Sequence, residues 1–291
     1  MDSASIDQNP EPSELAKEKF IEIDKVLAEK NPRLAKALPS FVISYIKKVL
    51  HQDQINDFIA VYGHLFGFDF IEKIIEEFGV QIEIKGRENV PSQGGIVLAS
   101  NHPLGGLDAL AMMHMLGKKR KDMRFIVNDI LLSFKNLKEL FIPVNKHGKS
   151  GIESVKMINA QFASDELTLV FPAGLVSRKQ DGGIIKDLEW KKSFITKARQ
   201  YQRDIIPVYV EGNNSNFFYN LSRWRKRLGI KANIEMFYLM DEMYKQRGKK
   251  ITIYFGEPIK YSIFDKSKTD EQWANYIKEL VYKLPSSGKI K

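Results

Sequence analysis

The chain has 291 residues, 45 Lys and Arg against 36 Asp and Glu for a formal charge of +9, 43% hydrophobic residues and no cysteine. That length suits one α/β domain with a helical extension or two small domains, and the apolar content excludes wholesale disorder. Lack of cysteine excludes disulfides, thiolate catalysis and cysteine-ligated zinc, while the basic excess favours nucleic acid, an anionic membrane surface or phosphorylated ligands without choosing among them.

The opening, MDSASIDQNPEPSEL, is polar and acidic and does not read as a signal peptide. No run of 18 apolar residues is free of charge, so no segment reads as a membrane span, and a cytoplasmic protein is expected. Residues 1–12 read as a frayed tail broken by Pro10 and Pro12. From Ser13, a candidate N-cap, ELAKEKFIEIDKVLAEK repeats apolar residues at three and four, as an amphipathic helix does. Two or three further helices follow in LPSFVISYIKKVLHQDQINDFIAVYGHLFGFDFIEKIIEEFG, where Gly79 serves as C-cap. This gives a tail (1–12), an N-terminal helical subdomain (13–79) and an α/β domain (80–291), or else one continuous domain whose helices cover the sheet.

After Gly79 the pattern changes. VQIEIKG and GGIVLAS read as strands, LDALAMMHMLG as a helix, and MRFIVN and LFIPVN as strands. GIESVKMINAQF (helix), LTLVF (strand), WKKSFITKARQY (helix), then DIIPVYVEG and KITIYFGEPI (strands) follow, with a last helix over about 270–284. Alternating strands and helices predict a largely parallel mixed sheet flanked by helices. The loop KQDGGIIKD reads as flexible, with glycines that allow closure over substrate.

The segment LASNHPLGGLDAL, residues 98–110, lies between a strand and a helix. Ligands bind at the carboxyl ends of parallel strands, and GIVLAS delivers Asn101 and His102 there. Asp108 falls in the first helical turn, where the dipole favours a carboxylate and from which it reaches back to the imidazole. Such a carboxylate fixes the tautomer and leaves the other ring nitrogen to take a proton. The competing reading is a structural turn in which His102 caps the helix and Asp108 bonds backbone amides. His51, His64, His114 and His147 have no acid at a comparable turn.

Four segments, NHPLGGLD, LFIPVNK, FPAGLVSR and IIPVYVEG, each stand at or just after a predicted strand. Over about residues 80–260 they resemble the sequence blocks of the glycerolipid and lysophospholipid acyltransferase superfamily. The proline after the histidine and the two glycines look most like its hemolysin-type branch, which includes enzymes that O-acylate lyso-ornithine and lyso-glycine lipids. The resemblance implies that His102 deprotonates an acceptor hydroxyl while Asp108 orients the ring. The hydroxyl then attacks a thioester of acyl carrier protein or coenzyme A, with no bound cofactor or metal. No G-x-S-x-G elbow is present, which agrees with direct attack. Backbone amides at Gly105, Gly106 or Gly174 are candidate oxyanion donors.

Several positions depart from the family pattern. Five residues rather than four separate His102 from Asp108. Asn145 and Lys146 stand where the second block carries an arginine for acceptor phosphate, and Ala173 replaces the third block's glutamate. These changes favour an acceptor without a phosphomonoester, such as an N-acylated glycine or ornithine with a free 3-hydroxyl, over 1-acylglycerol-3-phosphate. Asn101, Lys146, Ser177 and Arg178 complete the candidate acceptor contacts, the arginine as a carboxylate or phosphate clamp or as a solvated surface residue.

NFFYNLSRWRKRLGIK sets Phe217, Phe218 and Tyr219 near Trp224, Arg225, Lys226 and Arg227, a mixture suited to an anionic bilayer boundary. FVISYIKKVL is a second docking candidate. Nucleic-acid binding is the non-enzyme rival, but no DNA- or RNA-binding motif accompanies the basic charge and none is expected to bind. HGKSG is not a P-loop, because Pro143 stands where that motif needs glycine. A catalytically dead lipid-binding relative is the third possibility, opposed by the intact His102 and Asp108.

Overall fold

A computed structural model describes residues 21–30, 32–128, 135–144 and 149–287. The predicted tail (1–12) and the Ser13 cap lie outside the described residues. The chain divides into two compact units that meet between His64 and Leu65.

The first unit holds helices α1 (Ile23–Lys30), α2 (Pro32–Ala37), α3 (Ser40–Val49) and α4 (Gln52–Tyr62). Two amides one turn apart on α4 close the start of α1. Gln52 Oε1 accepts from the Ile23 N–H at 2.9 Å, and Asn56 Oδ1 accepts from the Ile21 N–H at 2.8 Å. They satisfy N–H groups that have no acceptor inside a helix.

The first helix of the second unit is α5 (Gly67–Phe78), starting at the third residue after the break. Sequence periodicity alone grouped this helix with those before it, up to Gly79. Its apolar face (Phe70, Ile71, Ile75 and Phe78) is buried, and it packs along α6 (Gly106–Gly117), which assigns it to the sheet-bearing unit.

Seven strands form one sheet: β1 (Gln81–Lys85), β2 (Ile96–Ser100), β3 (Met123–Asn128), β4 (Phe141–Val144), β5 (Leu167–Val170), β8 (Asp204–Val210) and β9 (Lys250–Phe255). Their order is β1-β9-β8-β2-β5-β3-β4. All neighbours are parallel except β8 and β9, so five strands run one way and β9 and β1 the other. The mixed, largely parallel sheet is the expected one. β2 lies inside it between β8 and β5, and every one of its residues is buried. That explains why IVLAS is apolar without alternation.

Helices α7 (Lys149–Ala163), α8 (Ser193–Gln200) and α11 (Asp270–Ser287) accompany these strands. Val97 and Ala99 of β2 join Phe162, Trp190, Phe194, Trp273 and Ile277 in one continuous core. Burial of this kind is worth about 1.5–3 kcal/mol per large side chain.

The segment expected to be a flexible loop is instead a small antiparallel hairpin, β6 (Arg178–Lys179) with β7 (Ile185–Lys186). Helices α9 (Asn216–Arg227) and α10 (Leu239–Tyr244) follow β8. Ser215 caps α9, its Oγ accepting from the Phe218 N–H at 3.2 Å.

Candidate active site

β2 ends at Ser100 in mid-sheet, and the next two residues take opposite roles. Asn101 is buried and bonded twice to the last residue of β8: its Nδ2 donates to Val210 O at 2.9 Å, and Val210 N–H donates to its Oδ1 at 2.7 Å. Both functions of the amide are consumed, so Asn101 is a strut and not the acceptor contact the sequence suggested. His102 turns instead towards a cavity, its side chain 16% exposed and Asp108 wholly buried.

His102 Nδ1 lies 2.9 Å from Asp108 Oδ2. The five-residue spacing is absorbed by Gly105, whose φ of +75° and ψ of −137° suit glycine and start α6 so that Asp108 points back. The Leu104 N–H donates to both oxygens of Asp108, at 3.2 and 3.0 Å. Burial pushes the Asp108 carboxyl up from its ordinary value, while the bonds from His102 and Leu104 oppose it. With a carboxylate on Nδ1, that nitrogen is the donor and Nε2 has the free lone pair. The imidazole is stacked on Phe171, centroids 4.0 Å apart and planes at 17°.

A second buried carboxylate, missed in the sequence, holds the same loop from behind. Asp187 Oδ1 accepts from the His102 N–H at 3.2 Å and from Ser177 Oγ at 2.5 Å, and Oδ2 accepts from Trp190 Nε1 at 2.8 Å. The backbone of Asp187 is held in turn by α11: its N–H donates to Tyr282 Oη at 2.7 Å, and its carbonyl accepts from Lys278 Nζ at 3.0 Å. Ser177 N–H donates to His102 O at 2.7 Å. Ser177 therefore braces the loop, buried and out of an acceptor's reach.

Arg178 is likewise corrected. It is 3% exposed, donates to Glu235 Oε1 at 3.0 Å and to Val176 O at 2.7 Å, and lies over the Phe218 ring. Arg225 meets the same carboxylate, Nε to Oε2 at 2.7 Å. Burial works against the charge on Arg178 and Glu235 works for it, with a net downward shift. A carboxylate shared by two guanidinium groups leaves no clamp for a ligand, and Arg225 is removed from the docking surface. Phe218 leaves it too, being fully buried, whereas Phe217, Trp224, Lys226 and Arg227 are exposed as expected. Lys146 lies outside the described residues.

The cavity beside His102 has a volume of about 340 Å³ and a mainly apolar wall that includes Phe125, Val127, Ile158, Phe162, Val170 and Phe171. Gly174 also lines it, but its N–H already donates to Phe171 O at 2.9 Å, so it is no oxyanion donor. Gly106 opens α6, with open space where a Cβ would stand.

A family described as Acyltransferase matches residues 25–289, nearly the whole chain. The chain belongs to this acyltransferase family. Two curated relatives, both called lyso-glycine lipid O-acyltransferase, are each 48% identical over 266 residues. The protein from Bacteroides thetaiotaomicron is matched over 91% of this chain and 97% of its own length, that from Phocaeicola vulgatus over 91% and 95%. A solved structure, the 1-acyl-sn-glycerophosphate acyltransferase PlsC of Thermotoga maritima, has a TM-score of 0.46 and 16% identity over 86% of this chain and 93% of that one. No helix among the described residues is long and apolar enough to cross a membrane.

Proposed function

We propose that this acyltransferase moves a fatty acyl group from a thioester of acyl carrier protein or coenzyme A to the 3-hydroxyl of a mono-acylated glycine lipid. The observation that carries the chemistry is the His102–Asp108 pair, 2.9 Å apart at the wall of an apolar cavity. His102 Nε2 takes the hydroxyl proton as the oxygen attacks the thioester carbonyl, and Asp108 steadies the imidazolium. Collapse breaks the C–S bond, and the departing thiolate recovers the proton from His102. The free amides at the start of α6, near Gly105 and Gly106, are the donors we assign to the oxyanion. The curated relatives' names support glycine over ornithine, and the buried, carboxylate-paired Arg178 weighs against a phosphomonoester acceptor. Mass spectrometry of lipids after co-expression with an N-acyl amino acid synthase tests this. Conversion of mono-acyl to di-acyl glycine lipid is expected. Phosphatidic acid accumulating from its lyso precursor, with the glycine lipid unchanged, would favour the glycerol-phosphate reading.

We place the membrane contact on α9 and the turn after it. Phe217, Trp224 and Leu228 recur at seven and four residues, forming one exposed apolar stripe, with Trp224 67% and Leu228 70% exposed. Arg223, Lys226, Arg227 and Lys231 are exposed around it. An apolar stripe with basic flanks matches the boundary of an anionic bilayer, where the lipid substrate resides.

A further inference from the structure

One wall of the cavity beside His102 is α7, whose Val155, Ile158, Asn159 and Phe162 recur at three, four and seven residues and share one face. That face descends from an open end to a closed one, Val155 being 53% exposed and Phe162 2%. Asn159 stands between them, a polar residue in an otherwise apolar stripe. Its Oδ1 is buried and meets no donor among the described residues. Other buried amides of this unit are in use. Asn101 bonds Val210 through both of its ends, and Gln161, two positions along α7, donates to Thr168 Oγ1 at 3.2 Å. Packing alone does not call for an amide at 159, since a leucine has the same branched shape, would continue the stripe and would leave no acceptor unmet.

We propose that Asn159 is a specificity residue for the acceptor, its Oδ1 taking the amide N–H that joins the amino acid to its acyl chain. This deepens the acceptor assignment above and rests on it. The terminal torsion of asparagine is soft, so the amide turns its oxygen towards a donor that enters the cavity while the helix stays in place. The N–H of the acceptor lies only a few bonds from the 3-hydroxyl. A bond to Asn159 therefore also sets that hydroxyl against His102, which lines the same cavity. An N–H carried into apolar surroundings loses its water and needs an acceptor there. An ester-linked lyso-lipid has no such hydrogen and leaves Oδ1 unmet, so the residue discriminates amide from ester acceptors. The thiol carrier of the donor bears amide N–H groups too, and varying the acceptor alone separates the two sources.

The test compares N-(3-hydroxyacyl)glycine with O-(3-hydroxyacyl)glycolate, which carries oxygen in place of the N–H, as acceptors for wild type and Asn159→Leu. Wild type is expected to show kcat/KM about tenfold higher for the amide, the size of one hydrogen bond to a group otherwise left unpaired. Asn159→Leu should bring the two acceptors to within about twofold, with the KM for the acyl donor unchanged. Its urea midpoint should equal or exceed that of wild type, because the change removes an unmet oxygen. Wild type that treats amide and ester alike overturns the role without any variant. An undiminished preference in Asn159→Leu overturns it and leaves the acceptor assignment standing. So does a raised KM for the donor with the acceptor preference intact, which would give Oδ1 to the thiol carrier. A midpoint well below wild type also overturns it, by showing a partner for the amide within the protein. Transfer by wild type to lysophosphatidic acid, with none to the glycine or glycolate acceptor, overturns the acceptor assignment and the role of Asn159 together.

Discussion

The main-chain N–H of His102 donates to Asp187 Oδ1 at 3.2 Å, across 85 residues of sequence. The histidine is therefore held twice, at its ring by Asp108 and at its backbone by Asp187. Asp187→Asn exchanges one acceptor for an NH2 among three donors: the His102 N–H, Ser177 Oγ and Trp190 Nε1. Stability should fall by about 1–3 kcal/mol, with turnover reduced, because a buried donor loses its acceptor. Urea unfolding and initial rates on the same preparation read both. Unchanged values for each would show that Asp187 does not position the loop.

His102→Ala is expected to lower turnover by roughly 10²–10⁴-fold, the contribution of a general base, while unfolding stays near that of wild type. The ring lies at the cavity wall, and its truncation leaves the backbone bonds to Asp187 and Ser177 in place. A purified variant that keeps wild-type turnover removes the dyad from the mechanism.

Asp108→Asn should cost activity on a similar scale, since an amide no longer supports the imidazolium. Its stability should show a distinctive pH trend. The folded carboxyl is raised from its ordinary value, chiefly by burial. Its contribution to stability is therefore full below the unfolded value, about 3.9, and is lost as pH rises through the folded one. Asparagine does not titrate. As pH rises above the unfolded value the variant should gain stability relative to wild type, as denaturant midpoints at acid and neutral pH would record. The reverse trend would mean that hydrogen bonding, not burial, governs this carboxyl.

Glu235→Ala strands Arg178 and Arg225 with their charges buried. A loss of about 3–5 kcal/mol is expected, as for other buried pairs broken on one side. Thermal unfolding checks it. A drop below about 1 kcal/mol would show that water replaces the carboxylate readily.

Docking is tested by Lys226→Gln with Arg227→Gln, and separately by Trp224→Ala, leaving Arg225 intact. Each basic residue should contribute about 1 kcal/mol at an anionic surface, a salt-sensitive part. The tryptophan supplies a part that salt does not remove. Flotation with anionic vesicles should fall in both variants while transfer to detergent-dispersed substrate holds. Full flotation in both would move docking to α3, where Phe41 and Tyr45 are exposed.

The sequence was most legible where the determinants are local. All seven strands of the sheet stand in runs of four to seven apolar or alternating residues, and His102 and Asp108 lie within one turn of chain. Arg178 was not legible, because its partner lies 57 residues on and nothing in FPAGLVSR marks it as buried. Asp187 draws bonds from four separate segments, so no spacing gives it away. The misassignment of Phe218 and Arg225 had a readable remedy. Positions 218, 219, 222 and 225 share one helical face, opposite to 217, 224 and 228, and Ser215 marks the helix start.

Asn101 and His102 are neighbours that serve different masters. The amide of Asn101 acts as a surrogate peptide for Val210, completing a rung of the β2–β8 ladder with a side chain while its own main chain departs. The exit point of the loop that carries His102 is thereby pinned to the scaffold. An aspartate at 101, with no hydrogen to offer the Val210 carbonyl, would abolish activity as a lesion of architecture that only looks like one of chemistry.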